Sequence, residues 1–204
     1  MDSESFIQGF GPELASLSNL LARTSTDMTV SGTDLLISHR PLIGPEAYAI
    51  TLYSPLSGGD IDGYAQNTGL VVSPHYIPVL RSINGGHIFE LSLYGAPRSM
   101  LGNPPLLDRS SRQPLDLATA NRFWRSEYKA SPDLFHFGGG SYSSDENVGY
   151  FFDIFGAVQA LRKSGEIWRS WPSFGEFLSA ELDRLEKAFP AFEAFMADIP
   201  RPAR

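Results

Sequence analysis

The period of the hydrophobic positions changes several times along this chain, and each change marks an element. Leu14, Leu17, Leu20 and Leu21 recur at helical spacing behind Pro12. Proline suits a first helical turn, where its missing N–H is no loss, so a helix is predicted from Pro12 to Leu21. From Arg23 to Glu46, Thr, Ser, Gly and Pro break any period, apart from a short strand near Leu35, Leu36 and Ile37. Residues 47–53, AYAITLY, read as a strand, and Gly59-Asp60-Ile61-Asp62 opens a short helix to about Thr68. Ser73-Pro74 offers another helix start, but Pro78 would remove an intrahelical bond, so that helix is placed from Pro78 onward. Asn84-Gly85-Gly86 closes it, because glycine takes the left-handed conformation that a helix C-terminus usually needs. Phe89, Leu91 and Leu93 then alternate with Glu90 and Ser92, the period of one half-buried strand.

A Pro-rich polar connection follows from Ala96 to Pro114. Helical spacing returns over Asp116 to Tyr128, with Leu117, Ala120, Phe123 and Trp124 on one side. The next part reads as an antiparallel meander. Phe135-His136-Phe137 leads to a Gly139-Gly140-Ser141 loop, Tyr150–Phe152 ends before Gly156, and Lys163-Ser164-Gly165 turns Val158–Leu161 back into Ile167–Trp171. Ser173 and Glu176 make a capping-box pattern. Phe174, Phe177, Leu178, Leu182 and Leu185 form the apolar stripe of a long closing helix, followed by a short tail with Phe192, Phe195 and Met196. Helices first, strands in the middle and a helix last predict an α+β single domain: a mostly antiparallel central sheet flanked by helices.

Composition narrows the classes. A chain of 204 residues, 42% hydrophobic and 12% aromatic, is one medium domain with enough apolar material for a core, which excludes disorder of the whole. Its formal net charge of −7 argues against nucleic acid or an anionic membrane as direct partner and permits a basic protein. There is no cysteine, which excludes disulfides, Cys-liganded zinc, iron–sulfur clusters and a thiol nucleophile. Residues 1–10 show no basic and apolar leader pattern, and no apolar run approaches the roughly 20 residues that span a bilayer. The expectation is a soluble, cytoplasmic protein without a membrane partner.

Candidate chemistry adds little. Gly138-Gly139-Gly140-Ser141 invites a phosphate loop, but Tyr142-Ser143-Ser144-Asp145 follows where that pattern needs Lys-Ser/Thr and a helix. A flexible hairpin loop is the expected reading. His39, His75, His87 and His136 form no i,i+4 pair, so no metal-binding helix face is predicted, and His87 and His136 read as hydrogen-bonded sheet-edge histidines. Asp60/Asp62 and Asp145/Glu146 lie in polar stretches expected to be solvated, and no Gly-x-Ser-x-Gly elbow is present. Trp168 and Trp171 bracket the last strand and are expected to pack between sheet and helix. No catalytic, metal-binding or cofactor-binding residue is therefore expected, and no cofactor.

The order of short motifs resembles the SUKH superfamily. The pieces are Pro55-Leu56 and Ile61, Gly69 with Pro74-x-Tyr76 and Leu80, Asn84-Gly85-Gly86, and Leu93-Tyr94-Gly95. Leu117–Asn121, Phe137-Gly138, Gly149-Tyr150, Val158, Lys163-Ser164-Gly165 and Trp171-x-x-Phe174-x-x-Phe177-Leu178 continue it. The match runs from about Tyr53 to Leu185, and departs at Pro78 and over Pro97–Pro114. It divides the chain into an N-terminal helix with a poorly matching extension (1–50), a SUKH-like domain (51–190) and a tail (191–204). The resemblance implies a non-enzymatic bacterial immunity protein that binds a cognate toxin domain, with structural recurrent residues. The acidic balance suits a toxin whose working surface is basic, such as a nuclease. The alternative is an intracellular regulatory or scaffold protein of the same fold acting through protein–protein contacts; an enzyme using Gly138–Ser141 with His136 lacks a base–nucleophile pair. The expected partner-binding residues are Tyr142, Asp145 and Glu146, an aromatic beside two acids on a polar loop.

Overall fold

Among the described residues nine strands lie side by side in the order in which the chain makes them, all antiparallel to their neighbours. The computed structural model describes residues 3–23, 28–31, 33–40, 44, 47–101, 113–143 and 146–197. Among them α1 (Ser3–Gln8), a 3-10 turn at Pro12–Leu14 and α2 (Ala15–Arg23) precede β1 (Met28–Ser31), β2 (Asp34–His39) and β3 (Tyr48–Leu52). Helices α3 (Gly58–Thr68) and α4 (Ile77–Ser82) intervene before β4 (Gly86–Ile88) and β5 (Leu91–Leu93). Helix α5 (Leu117–Arg122) and a 3-10 helix (Trp124–Tyr128) lead into β6 (Phe135–Ser143), β7 (Glu146–Phe152), β8 (Val158–Arg162) and β9 (Ile167–Trp171). Helix α6 (Phe174–Ala197) closes the chain. The α+β class and the mostly antiparallel sheet agree with the sequence pattern.

The alternation of residues builds two unequal cores. Val148, Tyr150 and Phe152 of β7 point to the large one, with Ile50, Leu52, Phe137 and Val158 from other strands. The stripe Phe174, Phe177, Leu178, Leu182 and Leu185 of α6 packs there, together with Leu17, Leu20 and Leu21 of α2. Phe151, one step out of phase, joins Tyr128 and Leu161 in a small cluster on the opposite face. Trp171 fills the gap between β9 and α6, its ring 5.3 Å from that of Phe177. Ser173 Oγ accepts from Glu176 N and donates to its carboxylate, fixing the start of α6 as its sequence predicts.

Four expectations need correction. The strand expected over Phe89–Leu93 is a hairpin: Phe89 has φ 53, so β4 and β5 turn back on each other there. Helix α4 ends before Asn84, at Ser82. Asn84 instead clasps Ala96, donating from Nδ2 to its O (2.8 Å) and accepting its N–H at Oδ1 (2.7 Å). Gly85 (φ 74) and Gly95 let those backbones meet; a Cβ on Gly95 would lie 2.2 Å from Asn84 O. Phe123 is 60% exposed, because α5 gives way there to the 3-10 helix and Tyr128 takes the buried place. Helix α6 runs past Leu185 to Ala197, where a tail was expected.

The side chains of Phe192, Phe195 and Met196 lie outside the described residues, as does most of the Pro97–Pro114 connection. The division expected at residue 50 falls inside β3, and that at 190 inside α6. Residues of the first fifty supply β1, β2 and core side chains of the same sheet.

Candidate functional site

The glycine run is not a loop. Gly138, Gly139 and Gly140 lie within β6 and pair with β5 on one side and β7 on the other, so the ladders on both sides take up their backbone. Their bareness makes room. A Cβ would lie 2.7 Å from Ser92 O at Gly138, 2.9 Å from the Tyr94 hydroxyl at Gly139 and 2.7 Å from the Tyr150 hydroxyl at Gly140. At Gly139 and Gly140 tyrosine side chains occupy the space that β-carbons would need. His136, expected at a sheet edge, instead lies in β6 between β5 and β7 and is fully buried, stacked on Phe151 at 4.3 Å, with Nδ1 3.4 Å from Ala120 O and no partner at Nε2 among the described residues. Burial pushes its pKa down to about 4, so the ring is neutral at pH 7. His87, also drawn down by burial, places Nδ1 3.0 Å from Ser92 Oγ. Among the described residues no group of three His, Asp or Glu side chains could hold a metal ion.

The polar corner chosen from the sequence is engaged with the protein itself. Tyr142 is half-buried in β6, and its hydroxyl donates to Oε1 of Glu181. Glu181 has no exposed surface; its Oε2 also accepts from the Tyr150 hydroxyl (2.8 Å) and Arg184 Nε (3.0 Å). The Arg184 guanidinium covers the Tyr142 ring at 4.0 Å. Burial, with Glu181 accepting the hydrogen bond, pushes the Tyr142 phenol up to about 12. Glu146 lies 2.7 Å from Arg162 Nε, and Arg162 stands 3.6 Å over the Trp168 ring. Asp145 lies outside the described residues. Tyr142 and Glu146 are thus near one another, but each is already partnered, and the solvated loop expected for them is a strand end bonded to α6 and β8.

The opposite end of the same strand is built the other way. Between β7 and β8 Asp153 folds a turn closed by its own carboxylate: Oδ1 accepts Phe155 N at 2.8 Å and Ala157 N at 3.0 Å. Asp153 N donates to Ala157 O, and Gly156 takes φ 90 over the His75 ring, where a Cβ would lie 2.7 Å away. This well-bonded turn holds Ile154 68% and Phe155 84% exposed. Val71, just past the left-handed Gly69 that caps α3, is 86% exposed. Val71 and Ile154 line a cleft of about 560 Å³ together with Phe135 and Phe152. Arg122 from α5, Arg125 from the 3-10 helix and Asp133 line it as well. Sequence reading passed over this turn, although two large apolar residues between two strands were the visible signal.

No protein-family model, curated protein or solved structure matches this chain.

Proposed function

We propose that this protein acts by binding another protein, as an immunity protein of the SUKH kind that occupies a cognate toxin domain and blocks it without catalysis. The observation that carries the reading is the Asp153–Ala157 turn, which holds Ile154 and Phe155 in water by two side-chain hydrogen bonds. Large apolar groups kept out of a core at a well-bonded position cost solvation and gain nothing for folding. Their gain comes when a partner covers them, and aromatic side chains on firm backbone are what interface centres use. The net charge of −7 suits a toxin domain with a basic working surface, whose approach it would speed. The motif order from Tyr53 to Leu185 supplies the toxin as the partner class.

The test is co-expression with the C-terminal domain of any large exported protein that is found encoded next to this gene. The wild type should restore growth and co-purify as a complex. The Ile154→Ala/Phe155→Ala variant should lose protection while melting like the wild type. A variant that protects fully would remove the turn from the interface, and absence of both complex and protection by the wild type would overturn the toxin assignment.

A further inference from the structure

The cleft beside the exposed turn is more than a rim of apolar side chains. Arg122 Nη2 donates to Thr68 O at 2.8 Å, capping the C-terminus of α3, and Arg125 Nη2 donates to Ser131 O. Each guanidinium carries five N–H donors, so one anchored amino group fixes the fork and leaves the other donors to point elsewhere. Neither arginine forms an ion pair among the described residues, although the chain is acidic as a whole. The acids nearby do not neutralise them by contact. One carboxylate oxygen of Asp153 is taken by the turn amides, and Asp133, which also lines the cleft, forms no ion pair with either arginine. Val71, Ile154, Phe135 and Phe152 line the same cleft and make part of it apolar.

We infer that this cleft seats a segment of the partner protein that sets an apolar side chain between Val71 and Ile154 and a carboxylate on Arg122 and Arg125. The inference rests on the protein-binding reading above and names the chemistry of what is bound. Two pre-anchored guanidinium forks without a carboxylate recognise an acid in two-pronged fashion. The apolar part supplies the contact area, and the cations supply the register. The segment is therefore acidic and apolar, in contrast to the basic surface expected for the rest of the toxin domain.

A displayed library of random twelve-residue peptides, panned on the full chain, provides the probe. Selected peptides should carry Asp or Glu within a few positions of Leu, Ile or Phe. Arg125→Glu should weaken their binding by at least about tenfold, and Val71→Glu should weaken it similarly without touching the α3 cap. Lys187→Glu on α6, away from the cleft, should leave it unchanged. Enrichment of basic peptides, no enrichment, or equal binding to Arg125→Glu would overturn the proposal. So would inorganic phosphate alone shifting the Arg122 and Arg125 side-chain resonances as strongly as a peptide does, which would make this a small-anion site. A toxin domain that binds Arg125→Glu and Val71→Glu with wild-type affinity would sink the cleft and leave the immunity reading standing; a toxin domain that does not bind the wild type would sink the latter alone.

Discussion

The two ends of β7 teach opposite lessons about polarity and exposure. At one end Tyr142, Glu146 and their neighbours are polar in sequence, yet the protein uses them internally, against Glu181 and Arg162. At the other, Ile154 and Phe155 are apolar in sequence, yet a turn holds them in water. A polar stretch is a surface only if nothing in the fold needs its hydrogen bonds. An apolar pair is core only if the backbone carries it inward. The comparison predicts where substitution is costly and where it is free.

The largest effect should come at the engaged end. Glu181→Ala leaves the Arg184 cation and two tyrosine hydroxyls facing a void, and removing one partner of a buried ion pair costs about 3–5 kcal/mol. Denaturant unfolding measures it; a loss below about 1 kcal/mol would mean that water reaches the site and the contrast between the two ends is false. Phe177→Ala, in the same helix and fully buried, should cost a similar 3–5 kcal/mol or so.

His136 sharpens the comparison through pH. The unfolded imidazole takes a proton below about pH 6.5, whereas the buried ring does so only near pH 4. In that window the unfolded state binds more protons, so stability is full above pH 6.5 and falls toward pH 4, by about 3 kcal/mol from this group. Resonances of the His136 ring that titrate near 6.5 in the folded protein would contradict this.

Tyr142→Phe removes one hydrogen bond to a charged acceptor and should cost about 1.5–3 kcal/mol. Phe155→Ala should be the smallest, within about 0.5 kcal/mol of wild type in thermal or chemical unfolding. A larger loss would place Phe155 in the fold and leave it unavailable to a partner.

Much of the fold was legible because period and punctuation agreed. Leu14 to Leu21, the β8–β9 hairpin and the stripe from Phe174 to Leu185 follow from spacing alone. The β4–β5 hairpin was not, because Leu91 and Leu93 continue the alternation across a turn whose residue is Phe89, not glycine. The glycine run misled for a related reason: bareness serves loops and aromatic crossings alike, and only the positions of Tyr94 and Tyr150 tell them apart. Glu181 was readable in principle. It lies three residues after Leu178 and four before Leu185, an acid on an apolar stripe, which marks either a misplaced face or a buried partner. The cleft draws Val71, Arg122, Arg125 and Ile154 from distant parts of the chain, and no local pattern joins them.

The strand order carries a consequence for how quickly the protein assembles. Most pairings join strands separated by a short connection, so the sheet can zip up hairpin by hairpin with little loop-closure entropy. Docking α2 on α6 is different: Arg23 meets Glu186 across 163 residues of chain. That contact forms only after the meander has brought the two ends together. We expect it to be absent from the folding transition state, so that Leu21→Ala and Leu182→Ala speed unfolding and leave the folding rate nearly unchanged. Stopped-flow measurements in which either substitution slows folding in proportion to its stability loss would place the terminal helices in the nucleus instead.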